Sequence, residues 1–165
     1  MPKLQNAEAA GTPVAIETRI PNAAMAAPET LEGIRKLLVG IQKGGLPAGT
    51  LELTHMRASQ INGCSSCIEG AIRHAHKSGA LDDRMLAVAA WHHASRFTAA
   101  ERAALELTEE MTRLADRQDP VPDEVWGRVA DHYDERARAA LVLYIALTNL
   151  FNRLNVATRQ PAGDW

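Results

Sequence analysis

Apolar residues recur three or four positions apart along most of the chain, and no segment shows a convincing alternation of period two. The first clear run of this kind is Leu31, Ile34, Leu37, Leu38 and Ile41. Such spacing gathers apolar side chains on one face of an α-helix. Alanine and leucine, the strongest helix formers, number 29 and 17, against 3 Trp, 2 Tyr and 2 Phe. The sequence therefore predicts an all-α fold and nearly excludes an all-β one.

Breaks between the periodic segments predict how the chain is organised. Residues 1–27 are rich in Pro, Ala, Gly and Asn without a period, which indicates an irregular N-terminal arm. Residues 28–165 are predicted to form a single domain with short connections. Stop and start signals within it predict about seven helices, near 28–42, 50–62, 64–78, 82–91, 98–114, 122–132 and 134–157.

Charge and hydropathy argue against several classes of protein. The 18 Lys+Arg residues against 20 Asp+Glu give a net charge of -2, which is not typical of nucleic-acid-binding or polybasic membrane-binding proteins. The longest apolar candidate, Leu141 to Phe151, is too short for a membrane span and predicts a buried helix. Residues 1–21 show no apolar stretch typical of a secretory signal. We expect a cytoplasmic protein with reduced thiols, and neither membrane nor nucleic acid as a partner.

The two cysteines of the chain, Cys64 and Cys67, lie three positions apart in the first turn of a predicted helix. Residues i and i+3 share a helical face, so the sulfurs can approach bonding distance with little change of the backbone. The free N–H groups and positive dipole end of that turn favour a thiolate, and a low-pKa pair can act as a redox couple. A structural metal site and two inert core residues are the alternatives.

The metal alternative lacks ligands. A closed zinc site needs four ligands, and the sequence has no second cysteine pair to complete it. His74 and His76 are two apart and His92 and His93 are adjacent, so neither pair has the spacing of a helical two-histidine clamp. We expect no metal ion and no cofactor. A thioredoxin-like site is also disfavoured, because its βαβ context is missing.

Glu52, His55 and Ser59 form a polar stripe on the predicted helix that precedes the cysteine pair. The stripe fits two interpretations. It is either the ordinary solvated face of an amphipathic helix, or it faces the cysteines. In the second case Glu52 would accept a proton and His55 would share that proton near pH 7.

Several stretches of the sequence resemble a known family. They are Leu51 to Glu69 (LELTHMRASQINGCSSCIE), Lys77 to Gly79, Ala87 to Trp91, Phe97 to Leu105 and Asn152 to Leu154. Over about residues 28–162 the chain is similar to the carboxymuconolactone decarboxylase superfamily, and more narrowly to its alkyl hydroperoxidase D-like branch. The resemblance implies an all-helical bundle that assembles as trimers or hexamers. It also implies a peroxidase that reduces hydroperoxides through a Cys-x-x-Cys disulfide.

The resemblance assigns roles by position. Cys67 matches the cysteine that attacks the peroxide, Cys64 matches the partner that forms the disulfide and meets the reductant, and Glu52 matches the start of a proton relay. One departure stands out: the family usually has a histidine four residues after the second cysteine, where this chain has Ala71. Positioned proton transfer is worth ~10²–10⁴-fold, so turnover is weak or another residue substitutes.

Two histidines are candidates for the missing relay residue. His55 lies on the Glu52 stripe, whereas His74 lies two turns beyond Cys67, at roughly 10 Å of helical rise. His55 is the better candidate for a catalytic residue, with a surface histidine as the alternative. Trp91, Met85 and Met56 are predicted to be core residues.

The leading functional hypothesis is the reduction of peroxides by a cytoplasmic homo-oligomer, with a small-molecule peroxide as substrate and a thiol or dithiol as reductant. One alternative is a carboxymuconolactone decarboxylase-like lyase, which needs no cysteine pair. The other is a redox-sensing or non-enzymatic helical oligomer, which the alanine at position 71 suggests.

Overall fold

The structure is a computed structural model that describes residues 16–79, 83–115 and 117–162. Over these residues the chain is helical and contains no strand, which confirms the predicted all-α class. The helices are α1 (Ala23–Ala26), α2 (Pro28–Gln42), α3 (Ala48–Asn62), α4 (Ser65–Ser78), α5 (Asp83–Ala87), the 3-10 helix η1 (Val88–Ala90), α6 (Ala99–Thr112), α7 (Asp123–Ala130) and α8 (Glu135–Thr158).

The predicted helices correspond to α2–α8, with two differences. The helix expected over 82–91 stops at Ala87 and continues as η1. Part of the arm predicted to be irregular forms α1, because the Asn22 side chain accepts a hydrogen bond from the Ala24 N–H and Ala24 is buried against Ile34. Residues 1–15 of the arm lie outside the described residues, and the boundary between arm and domain stays a prediction.

Local signals place the helix ends that matter for the site. Thr98 and Glu101 form the predicted capping box at the start of α6. Asp134 caps α8 by accepting a hydrogen bond from the Ala137 N–H. Gly63 adopts the left-handed conformation at φ 65°, which ends α3 and turns the chain into α4 within two residues.

Helix α3 lies at the centre of the fold, packed against α4, α6 and α8. Its buried Leu53 and Met56 share one core cluster with Trp91 and Leu105. A second cluster joins α6, α7 and α8. The predicted core positions Trp91, Met85 and Met56 are all buried.

Helix α8 is the one helix among the described residues that is long and apolar enough to span a membrane by length and composition alone. It also packs against α2, α3, α4 and α6, and Leu141, Ile145 and Leu147 on it are buried. Leu143 and Leu150 are exposed, so the predicted burial of this segment holds for one face only. The buried face also carries asparagines, and these reach the cysteine pair.

Candidate active site

Cys64 and Cys67 are joined in a disulfide at the start of α4, with their Cα atoms 5.3 Å apart. Cys64 is the N-cap residue and Cys67 the third residue of the helix. The Cys64 N–H donates to the Ser59 carbonyl at 2.9 Å, so the tight turn at Gly63 fixes the pair against the end of α3. The sequence prediction that these sulfurs reach bonding distance is confirmed. Cys64 is 1% exposed and Cys67 9% exposed, so Cys67 is the more accessible residue of the pair.

Two asparagines of α8 contact the Cys67 sulfur. Asn152 Nδ2 lies 3.1 Å from Sγ and Asn155 Nδ2 lies 3.4 Å from it. The Asn152 to Leu154 stretch carries part of the family resemblance, but that resemblance assigns these amides no role. A usable signal was present, because Asn149, Asn152 and Asn155 recur every three residues among the apolar residues of the second half of α8.

The polar stripe of α3 faces the protein interior. Ser59 is fully buried and its Oγ accepts a hydrogen bond from Asn152 Nδ2 at 3.0 Å. Glu52 and His55 are half-buried. The interpretation of this stripe as a solvated face is therefore wrong, because Ser59 is buried and residues of α4 and α8 line a cleft together with Glu52 and His55.

Two clefts adjoin the site. The first, which we term the Cys67 cleft, has a volume of about 360 Å³ and is lined by Asn22, His55, Ser66, Cys67, Gly70, Ala71, Phe151 and Asn155. The second, which we term the Glu52 cleft, has a volume of about 200 Å³ and is lined by Glu52, His55, Ala71, His74, Ala75, Met85 and Tyr144. His55 and Ala71 line both clefts. His74 borders the Glu52 cleft and does not line the Cys67 cleft.

Burial shifts the pKa values of two side chains that line the Glu52 cleft, His55 and Tyr144. Burial lowers the pKa of His55 from 6.5 to about 4, so its imidazole is neutral at pH 7. The proton sharing between Glu52 and His55 expected near pH 7 stays a prediction. Burial and the nearby charge of Glu52 raise the pKa of Tyr144 to about 12, so its phenol keeps its proton.

A separate buried carboxylate, Glu109 of α6, ties α3 to the segment that precedes α6. It accepts hydrogen bonds from Arg57 Nε at 2.7 Å and Trp91 Nε1 at 2.7 Å, and it also pairs with Arg113. Burial acts to raise the pKa of Glu109, but the hydrogen bonds from Trp91, Arg113 and Arg57 outweigh it and lower the pKa to about 2. Arg57 thus stabilises the helix packing behind the site.

The sequence profile of the carboxymuconolactone decarboxylase family matches residues 26–110, just over half of the chain, with both cysteines inside the match. The chain belongs to the carboxymuconolactone decarboxylase family. The family resemblance predicted from the motifs is thereby confirmed.

Two curated relatives of this family member are both uncharacterized proteins. YdfG of Bacillus subtilis (strain 168) is 35% identical over 138 residues, which are 84% of this chain and 92% of that protein. YnjA of Escherichia coli (strain K12) is 33% identical over 111 residues, which are 67% of this chain and 59% of that protein.

Solved structures share the fold of this family member. ATU0492 of Agrobacterium tumefaciens is a protein of unknown function provisionally assigned to antioxidant defence as AhpD. It has a TM-score of 0.79 and 26% identity, covering 90% of this chain and 100% of that one. A cysteine-to-alanine variant of the debrominase Bmp8, bound to 2,3,4-tribromopyrrole, has a TM-score of 0.72 and 20% identity over 84% of this chain and 73% of its own. The first likeness confirms the alkyl hydroperoxidase D-like fold, and the second concerns the fold alone.

Proposed function

We propose that this chain is a cysteine-dependent peroxidase that reduces hydroperoxides through Cys64 and Cys67. The observation that carries the proposal is a disulfide at the first turn of a helix, with its more accessible residue, Cys67, bordering a cleft. Membership of the family, and the likeness to a protein provisionally assigned to antioxidant defence, support it.

Cys67 is the attacking residue in this proposal. Its thiolate attacks one oxygen of the hydroperoxide, the O–O bond breaks, and the alkoxide leaves as an alcohol after it takes up a proton. Cys67 is thereby oxidised to a sulfenic acid. The Cys64 thiolate then attacks the Cys67 sulfur, which forms the disulfide and expels hydroxide that is protonated to water. A thiol or dithiol reductant supplies two electrons and two protons to restore both thiols.

His55 moves the proton in this proposal, with Glu52 as the group that exchanges it with solvent. His55 lines the clefts of both Cys67 and Glu52. Because its pKa is about 4, the ring is free to accept the Cys67 proton at pH 7 and gives that proton up readily to the leaving alkoxide. A base with so low a pKa is weaker than one matched to pH 7, so we expect modest turnover.

In this proposal the reductant reaches Cys64 through a cleft other than the Cys67 cleft. A third cleft, of about 270 Å³, is lined by Ile16, Gly63, Cys64, Ser65, Ser66, Asn155, Val156, Arg159 and Gln160. A reducing thiolate that enters there would attack Cys64 and release Cys67 as the leaving thiolate. The exposed cation of Arg159 favours an anionic thiol.

A redox switch is the second candidate function, and Ala71 is the observation that favours it. With a methyl group where both clefts meet, the disulfide would form on oxidation but turn over slowly. Steady-state peroxide consumption in the presence of a recycling dithiol separates this candidate from a peroxidase.

The test compares the reduced chain with Cys67→Ser and Cys64→Ser variants, using cumene hydroperoxide and dithiothreitol. We expect Cys67→Ser to abolish consumption and Cys64→Ser to lose the intramolecular disulfide. The exposed His76, which borders none of the three clefts, supplies the control variant His76→Ala. Consumption by Cys67→Ser at the wild-type rate would overturn the proposal. Lactone decarboxylation that persists after the thiols are blocked would favour the lyase alternative.

A further inference from the structure

The Cys67 sulfur has two N–H donors from α8 within hydrogen-bond distance. Asn152 Nδ2 and Asn155 Nδ2 approach it at 3.1 and 3.4 Å. Both amides are buried, at 0% and 8% exposure. Hydrogen bonds that donate to the charged form of a group favour that form, and a thiolate accepts more strongly than a thiol or a disulfide sulfur.

Neighbouring side chains determine which way the Asn152 amide points. Asn62 Nδ2 donates to Asn152 Oδ1 at 2.9 Å and to Asn149 Oδ1 at 2.9 Å. Because its oxygen accepts from Asn62, Asn152 turns its NH2 group toward Cys67 and Ser59. A flipped Asn152 amide would set its NH2 group against the NH2 group of Asn62, so the hydrogen bond between the two side chains would be lost.

The Asn155 amide is also oriented by a neighbouring asparagine. Asn22, which also caps α1, donates through Nδ2 to Asn155 Oδ1 at 3.4 Å. The Asn155 NH2 group therefore faces Cys67. Two independent contacts, one from α3 and one from the segment before α1, thus aim two donors at one sulfur.

Apart from these two amides, few side chains near Cys67 could change its ionisation. On α3, His55 is the one ionisable neighbour among the residues that line the Cys67 cleft, and it is neutral at pH 7. Cys64 lies in the turn before α4, and Arg159 follows α8 on the far side, in the cleft of Cys64. The segment around Asn22 and the Phe151 region of α8 add no ionisable side chain to this lining.

We infer that Asn152 and Asn155 hold the reduced Cys67 sulfur as a thiolate, with Asn62 as the positioning residue that orients Asn152. The inference deepens the proposed function, since its catalytic consequence rests on Cys67 as the attacking thiol. The same donors improve Cys67 as a leaving group when a reductant opens the disulfide at Cys64.

The test measures the ionisation of Cys67 alone. In a Cys64→Ser background Cys67 is the single thiol of the full chain, and its alkylation by iodoacetamide is followed from pH 4 to 10. We expect Asn152→Ala and Asn155→Ala each to raise the midpoint by about one pH unit, a tenfold loss of thiolate relative to thiol. Asn62→Ala, which contacts no sulfur, raises it by a smaller amount.

The matched control is Thr148→Val, an isosteric change at a buried polar residue of α8 one turn before Asn152. It leaves the midpoint unchanged. Folded asparagine variants with the midpoint of the Cys64→Ser parent would overturn the inference, as would an equal shift in the control. If Asn152→Ala does not fold, the midpoint of Asn155→Ala alone tests the inference. Asn155 borders two clefts, so its truncation should disturb the core less. Shifted midpoints in a chain that consumes no peroxide would contradict the proposed function and leave this inference standing.

Discussion

His55 of α3 and Ala71 of α4 form the wall shared by the Cys67 cleft and the Glu52 cleft. Ala71 lies one turn after Cys67 on α4, at the position where the resemblance to the alkyl hydroperoxidase D-like branch implies a histidine. With a methyl group at position 71, His55 is the one imidazole that borders both clefts among the residues lining them.

Replacing Ala71 with histidine should raise peroxide turnover. The new imidazole would stand beside the sulfur at the junction of the clefts, with a pKa closer to 7 than that of His55. We expect Ala71→His to increase the rate at pH 7 at least severalfold in a peroxide-consumption assay, and Glu52→Gln to cancel the gain. The Ala-to-His change costs about 0.5 kcal/mol of helix propensity, so the variant should fold. A folded variant at the wild-type rate would contradict the relay hypothesis, and loss of activity in His55→Ala would then assign the relay to His55.

The half-buried His55, whose pKa is lowered by loss of solvent, should make stability depend on pH. Its pKa is about 4 in the folded chain against an ordinary 6.5, so between these values the unfolded chain binds more protons. Stability therefore falls as pH drops from 6.5 toward 4. The stability that depends on a neutral His55 is fully present above pH 6.5. Urea unfolding of the oxidised chain at pH 7.5 and 4.5 should show a loss about 2 kcal/mol larger than in His55→Gln. The exposed-site variant His76→Gln should keep the wild-type loss, and identical pH dependence in all three proteins would contradict the prediction.

Much of the fold was predictable because it depends on local patterns. Helical spacing gave α2–α8, the Thr98 capping box gave the start of α6, and the i, i+3 spacing of Cys64 and Cys67 gave their approach. Helix α1 was missed, because it depends on a single cap at Asn22 and on burial of Ala24 by distant residues.

The direction of side chains in the site was less predictable, because it depends on which helix packs against which. The pattern of α3 is the same whether the Glu52 stripe faces solvent or the cysteines. The packing of α4 and α8 against α3 decides which way the stripe faces. The amides of Asn152 and Asn155 lie 85 and 88 positions from Cys67 along the chain, so no local spacing relates them to that sulfur. The low pKa of His55 likewise arises from burial by distant segments.

Glu109 should contribute strongly to stability without acting on the cysteines. Glu109→Gln leaves the largely buried Arg57 and the exposed Arg113 without their carboxylate, and breaking a buried ion pair such as that with Arg57 costs about 3 kcal/mol or more. The adjacent Glu110 pairs with Arg117 nearer the surface, so Glu110→Gln should cost at most about 1 kcal/mol. Equal losses of unfolding free energy in the two variants, measured in urea at pH 7, would count against a special role for Glu109.

We expect the chain to form a homo-oligomer, a trimer or hexamer. An apolar groove of about 510 Å³ between α6, α7 and α8 is lined mainly by Leu107, Met111, Leu114, Val121, Trp126 and Val142. Leu114 and Trp126 are 52% and 41% exposed in the single chain, which is typical of a surface that a partner covers. Light scattering at micromolar concentration should give a mass several times 17.9 kDa, and a stable monomer would contradict this expectation.

A single-turnover reaction tests the peroxidase account most directly. The fully reduced chain is mixed without oxygen with one equivalent of cumene hydroperoxide, and the alcohol is quantified while mass spectrometry follows the loss of two hydrogens between Cys64 and Cys67. The account predicts one alcohol for each disulfide formed, and no alcohol from Cys67→Ser. Disulfide formation without alcohol, or equal alcohol from Cys67→Ser, would contradict it.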